Sequence, residues 1–121
     1  MNSSCQSLYW NTLYIIIKTR RSRKMKTISA ADLKKQYQSK ELAIIDVRER
    51  HEFQAGHIPN AENLPLSELE TGYKKLDPDY KYYVICQGGA RSATACEFLA
   101  EQGFDVTNVS GGMNAWLGET E

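Results

Sequence analysis

Cys86 closes the apolar run Tyr82-Tyr83-Val84-Ile85, and Gln87-Gly88-Gly89-Ala90-Arg91-Ser92 follows it directly. A helical pattern, Ala93 to Gln102, comes next. The spacing predicts a thiol at the end of a strand, opening a glycine-rich loop that leads into a helix. The thiolate, not the thiol, is the nucleophile. Free N–H groups at a helix start, with the positive end of its dipole, favour an anion there. Two glycines let the backbone turn its amides inward as a nest for negative charge. Arg91, four residues beyond Gln87, adds a fixed cation. The alternative is a buried structural thiol, since free cysteine is among the most buried residue types. Glycines and an arginine directly after Cys86 argue against it. The nucleophile reading requires a sulfur open to solvent and amides aimed at it.

The other reactive residues read differently. Cys96 falls in the apolar stripe of the Ala93–Gln102 pattern and is expected in the core, with a resolving partner for oxidised Cys86 as the sharper alternative. Cys5 lies near the start of the chain and reads as incidental. Three cysteines make no disulfide framework, and no C-x-x-C pair or histidine cluster suggests zinc, so a reducing compartment, the cytoplasm, is expected. His57, beside Ile58-Pro59, reads as a turn-stabilising donor and His51 as a solvated helix residue. Tyr80, Tyr82 and Tyr83 read as strand and edge packing, and Lys74-Lys75 as a solvated face.

These residues need elements to position them. From Met25 onward, strand and helix signals alternate. Lys26 to Ile28 can form a short strand. Ser29 suits an N-cap, with Asp32 in the first turn of a helix from Ala30 to about Tyr37. Leu42 to Val47 reads as a buried strand. Glu49 to Ala55 is expected as a short helix, His57 to Asn60 as a turn, and Ala61 to Leu64 as a short strand. Pro65 begins a short helix to about Glu70, and Tyr82 to Cys86 is the next strand. Gly103 suits the C-cap of the helix that follows Cys86. Val106 to Val109 is the last strand, followed by a terminal helix carrying Trp116 and Leu117. Such alternation implies an α/β fold: a mostly parallel central sheet of about five strands, flanked by helices on both faces. Ligands in such sheets sit beyond the carboxyl ends of the strands, where Cys86, Asp46 and Val47 fall.

At 121 residues the chain has room for one domain with a substantial core. Its zero formal charge hides an asymmetry. Residues 1–24 carry five basic and no acidic residues, whereas residues 25–121 carry ten basic and fifteen acidic, a formal charge of −5. A mildly acidic domain makes a poor nucleic-acid binder. Leu8 to Ile17 is mostly apolar but short of the about 20 residues that span a bilayer, and its charge follows rather than precedes it, unlike a secretory signal. Residues 1–24 are therefore read as a disordered basic leader ahead of a domain over 25–121. A weak membrane-surface anchor and an added structural element are the alternatives.

Taken in order, Ile45-Asp46-Val47-Arg48, Glu52-Phe53, Gly56-His57-Ile58-Pro59-Asn60-Ala61, Asn63-Leu64-Pro65, the Cys86 loop, Gly111-Gly112 and Trp116 resemble the single-domain rhodaneses, a family of sulfurtransferases. The resemblance covers about residues 26–118. Asn60 departs from the glycine often found there, and both residues tolerate a left-handed turn. The resemblance implies the rhodanese fold and a Cys86 that accepts sulfur as a persulfide. It also implies a substrate cradle from Gln87, Gly88, Gly89, Ala90, Arg91 and Ser92, with Arg91 on the anionic end of the donor. Asp46 and Arg48 would support that loop, as an ion pair or more directly. The substrates implied are a small anionic sulfur donor such as thiosulfate and a thiol or cyanide acceptor, without metal or organic cofactor. A second reading is a persulfide relay that takes sulfur from, or gives it to, a partner protein. A third reading rests on phosphatases and arsenate reductases of the same architecture. Those place five residues between cysteine and arginine, whereas four, Gln87 to Ala90, stand here.

Overall fold

The computed structural model describes residues 25–121, so the readings of the basic leader and of Cys5 lie outside the described residues. Five strands form one parallel sheet: β1 (Lys26–Ser29), β2 (Ala43–Asp46), β3 (Glu62–Asn63), β4 (Lys81–Ile85) and β5 (Asp105–Ser110), in the spatial order β1-β5-β4-β2-β3. The helices are α1 (Ala30–Ser39), α2 (Arg50–Gln54), α3 (Leu69–Gly72) and α4 (Ala90–Glu101). Single 3-10 turns flank α3 at Leu66–Glu68 and Tyr73–Lys75, and another follows β5 at Gly112–Ala115.

The alternation of side chains along β4 divides the core into two layers. Tyr82, Val84 and Cys86 pack with Ile45 of β2 and with Ala95, Cys96 and Leu99 of α4. Tyr83 and Ile85 face the other way, with Ile44, with Ala30 and Leu33 of α1, and with Trp116. Both faces of the sheet are therefore covered, as a parallel sheet requires. The Ser29 hydroxyl caps α1 by accepting from the Asp32 amide at 3.1 Å. At the far end of α4, Gly103 and Phe104 donate back to Ala100 and Leu99, closing that helix where the sequence places its cap. Asn60 adopts the left-handed backbone of its turn, φ 71°.

Two expectations are corrected. The helix after Cys86 begins at Ala90 instead of Ala93, because Gly89 turns the chain sharply (φ 107°) and lets the helix start at once. Arg91 and Ser92 thus stand in its first turn, not in a loop. The terminal helix is only the 3-10 turn Gly112–Ala115; Trp116 lies past it in extended backbone, buried, while Leu117 is exposed.

From β2 the chain moves outward to β3, and from β4 it moves the opposite way to β5. The carboxyl ends of β2 and β4 are therefore the topological switch point of the sheet, where the crossovers diverge and leave a crevice. Asp46 and Ile85 are register partners there, and the Val47 amide donates to the Ile85 carbonyl at 2.9 Å.

Candidate active site

Cys86 follows β4 by one residue, so its sulfur sits at the switch point beneath the start of α4. The Gly89 amide donates to Sγ at 3.0 Å, and the Ser92 hydroxyl lies 3.3 Å from it. Burial pushes the Cys86 thiol up, but the Ser92 hydroxyl and the backbone N–H groups of Ser92, Gly89 and Gly88 outweigh it, leaving the pKa below the ordinary thiol value. The expected inward-facing amides are thus present. The expectation of an open sulfur is not met: Cys86 is 1% exposed. The early helix start brings Ser92 over the sulfur and closes it in. The nucleophile reading therefore requires that the sulfur be uncovered when a donor binds.

Ser92 is itself fully buried and held from behind. Its hydroxyl lies 2.5 Å from Asn108 Oδ1 and 3.1 Å from the Gly89 carbonyl. One proton thus has three acceptors, counting the sulfur. When Cys86 is a thiol, S–H can donate to Ser92 and Ser92 to Asn108. When it is a thiolate, the Ser92 proton turns to the sulfur. Asn108 on β5 was not legible as a site residue, because an inward asparagine on a strand looks like any polar interruption.

The loop is tied down on both sides. Arg48 and Asp46 are 4% and 0% exposed and paired at 2.9 Å. Such a buried pair is tolerable only when its remaining donors are used. Arg48 donates to the Gly56 carbonyl at 2.8 Å and to Gln87 Oε1 at 3.1 Å. The Gln87 amide group in turn donates to Asn114 Oδ1 at 2.7 Å. Asp46 and Arg48 therefore stand behind the loop, and the Gln87 side chain braces it instead of facing outward. From the other side, the Met113 and Asn114 amides donate to the Cys86 and Gln87 carbonyls at 2.8 and 2.9 Å. That approach needs Gly112, where a Cβ would stand 2.3 Å from the Cys86 carbonyl oxygen.

Arg91 does not point free into the crevice. It forms a two-pronged pair with Glu52 of α2, at 2.7 and 2.9 Å. That pairing pulls the Glu52 carboxyl down from the usual 4.5 to about 2. Glu52 also accepts from the Glu49 amide at 3.0 Å, completing a capping box at the start of α2. The residues Glu52-Phe53 carry part of the family likeness, but their spacing did not place Glu52 beside Arg91.

Cys96 is fully buried beside Leu99 in the core, and its thiol is pushed up to about 12 by burial and then by the charge of Cys86. His57 contacts the Phe53 carbonyl at 2.8 Å through Nδ1 and stacks on the Phe53 ring, in keeping with a turn role. An open cleft of about 1030 Å³ lies at the amino ends of β2 and β4, lined by residues including Tyr37, Lys40, Tyr80 and Lys81, and contains none of the residues around the sulfur.

Fold and site together define an α/β protein with a cysteine of lowered pKa at a helix start on the switch point of a parallel sheet. The Rhodanese-like domain family matches residues 29–119, and the chain belongs to that family, among its single-domain sulfurtransferase-like members. It is 44% identical over 98 residues to the putative sulfurtransferase YtwF of Bacillus subtilis, covering 80% of this chain and 95% of that one. It is 36% identical to the thiosulfate sulfurtransferase GlpE of Shewanella oneidensis (75% and 91% covered). Against the putative sulfur carrier protein YrkF of Bacillus subtilis identity is 42%, over 66% of this chain but only 44% of that protein. The crystal structure of a rhodanese-like domain protein from Staphylococcus aureus superposes with a TM-score of 0.74 at 39% identity, covering 80% of this chain and 97% of that one. Among the described residues no helix is long and apolar enough to cross a membrane.

Proposed function

We propose that the protein is a sulfurtransferase that carries sulfane sulfur on Cys86, from thiosulfate or a related donor to a thiol or cyanide. The observation that carries this reading is the Cys86 sulfur accepting from the Gly89 N–H at 3.0 Å beside the Ser92 hydroxyl, an arrangement that lowers its pKa. With thiosulfate, the Cys86 thiolate attacks the outer sulfur. The S–S bond of the donor breaks, its electron pair leaves with sulfite, and Cys86–S–S⁻ remains. The acceptor then takes the outer sulfur and returns the thiolate, which is covalent catalysis in two half-reactions with ping-pong kinetics. Each species in the crevice is anionic, so preorganised N–H donors assist both halves. GlpE, named for thiosulfate, supports that donor. The chemistry needs a reduced Cys86, which fits a cytoplasmic setting.

Intact-mass analysis after mixing with thiosulfate or a persulfide tests the reading. A gain of one sulfur atom, reversed by cyanide and absent in Cys86→Ala, is the expected result; no sulfur gain from either donor removes the proposal. The similarity to YrkF favours a second reading, a relay serving a partner protein. A loaded persulfide with negligible steady-state turnover to cyanide would select it.

A further inference from the structure

Among the described residues, α2 is the one α-helix that buries none of its own side chains. α1 buries Ala30 and Leu33, α3 buries Leu69, and α4 buries residues that include Cys96 and Leu99. Polar contacts hold α2 instead. Arg50 pairs with Glu68, and the N-cap residue Glu49 accepts from the Ser67 hydroxyl at 2.9 Å. Glu52 pairs with Arg91 in the first turn of α4. Exposed pairs of this kind hold weakly. The base of the segment is different. Arg48, buried against Asp46, precedes it in the chain and also holds the Gly56 carbonyl at its far end, at 2.8 Å. Both ends of residues 49–56 therefore converge on one buried guanidinium. A segment fixed at two neighbouring points and weakly latched elsewhere can turn about the line joining them. The Gly56 end has room for this, since a Cβ there would meet nothing within 4 Å. The Phe53–His57 stack lies on that hinge side. The same Arg48 guanidinium holds Gln87, and Glu52 holds Arg91. Gln87 and Arg91 bracket the segment that encloses Cys86, so α2 lies across it.

We infer that residues 49–56 form a flap over the Cys86 crevice, hinged on Arg48 and closed by the Arg50–Glu68, Glu49–Ser67 and Glu52–Arg91 contacts. Its purpose, admitting a sulfur donor to Cys86, rests on the sulfur-transfer reading above. Opening breaks surface contacts and leaves both core layers packed. The cost of opening is therefore set by the latches and not by apolar burial, which is the condition for motion without global unfolding.

Alkylation of Cys86 by iodoacetamide, a small neutral reagent, tests the flap. The reagent takes the thiolate. The midpoint of the pH profile thus reads ionisation, and the plateau rate at high pH reads access. Arg50→Met and Glu68→Gln break the same pair while changing the net charge in opposite directions. Each raises the plateau rate about threefold, the scale of an exposed ion pair. Adding Ser67→Ala to Arg50→Met raises it to roughly tenfold if the two latches act independently. Lys26→Met, which breaks an ion pair with Asp105 far from α2, leaves the rate unchanged. Hydrogen exchange of the Phe53, Ala55 and Gly56 amides quickens in the latch variants, while that of α4 does not. Plateau rates that stay at the wild-type value overturn the inference. So do opposite changes in Arg50→Met and Glu68→Gln, which would mark an electrostatic effect, and an acceleration matched by faster exchange throughout α4. The salt dependence of the wild-type plateau decides the matter should a variant fold poorly: it rises as salt screens the latches, and a flat response overturns the flap. The mass gain with a sulfur donor is read separately. A flap that opens onto a Cys86 that gains no sulfur keeps this inference and removes sulfur transfer.

Discussion

At the scale of single residues, the chemistry reduces to where one hydroxyl proton goes. Ser92 can serve the sulfur only if Asn108 and the Gly89 carbonyl release its proton. Ser92→Ala therefore raises the Cys86 pKa towards the ordinary thiol value. Asn108→Asp raises it too, because a carboxylate retains the Ser92 proton and adds a like charge. The pH profile of Cys86 alkylation by iodoacetamide reads both shifts; an unmoved midpoint would show that Ser92 does not support the thiolate. Cys96→Ala keeps most of the transfer activity, since its thiol stays neutral in the core, whereas Cys86→Ala abolishes transfer and leaves the thermal midpoint close to wild type. Loss of activity in Cys96→Ala without loss of fold would instead favour the resolving role. The Glu52–Arg91 pair has its own signature. A carboxyl depressed from 4.5 to about 2 stabilises the fold fully above pH 4.5, and that contribution fades as the pH falls towards 2. The stability difference between wild type and Glu52→Gln, on the order of 1 kcal/mol or less for a partly exposed pair, accordingly closes across that interval in urea titrations.

At the scale of elements, the loop owes its shape to its neighbours more than to its own bonds. The strap after β5 reaches the Cys86 and Gln87 carbonyls through the Met113 and Asn114 amides, and only a glycine at 112 leaves room. Gly112→Ala would have to push the strap away. Losing two hydrogen bonds and straining a left-handed residue amounts to about 3 kcal/mol. The expected outcome is a lower thermal midpoint together with slower sulfur loading, and normal values of both would show that the strap does not hold the loop. The early start of α4 belongs to the same scale. The glycine pair announced a turn, but whether the helix resumed at Ala90 or Ala93 depended on the Gly89 backbone. That choice put Ser92 over the sulfur.

For the whole molecule, the site depends on two packed layers that keep the ends of β2 and β4 side by side. Leu99 lies fully buried on the α4 side of the sheet. Leu99→Ala is expected to cost roughly 2–5 kcal/mol, whereas Leu117→Ala, at a position 81% exposed, should fall within about 0.5 kcal/mol of wild type. Chemical denaturation of the two variants checks the contrast, and equal losses would mean the core is not where these layers put it. The alternating strand and helix signals were enough to read a parallel five-stranded α/β sheet, because periodicity is a local property written in side-chain polarity. The proposed nucleophile was legible for the same reason: Cys86, its glycines and Arg91 are neighbours in the chain. Partners across the fold were not. Glu52 meets Arg91 across 39 residues, Asn108 meets Ser92 across 16, and Asn114 meets Gln87 across 27. No spacing rule reports such contacts, since they exist only once the crossovers have brought separate strand ends to one crevice. The chain alone thus determined which atom is proposed to react and on what kind of scaffold. The folded arrangement decided how far that sulfur is enclosed and which carboxylate occupies its arginine, because burial and charge pairing are properties of neighbours in space.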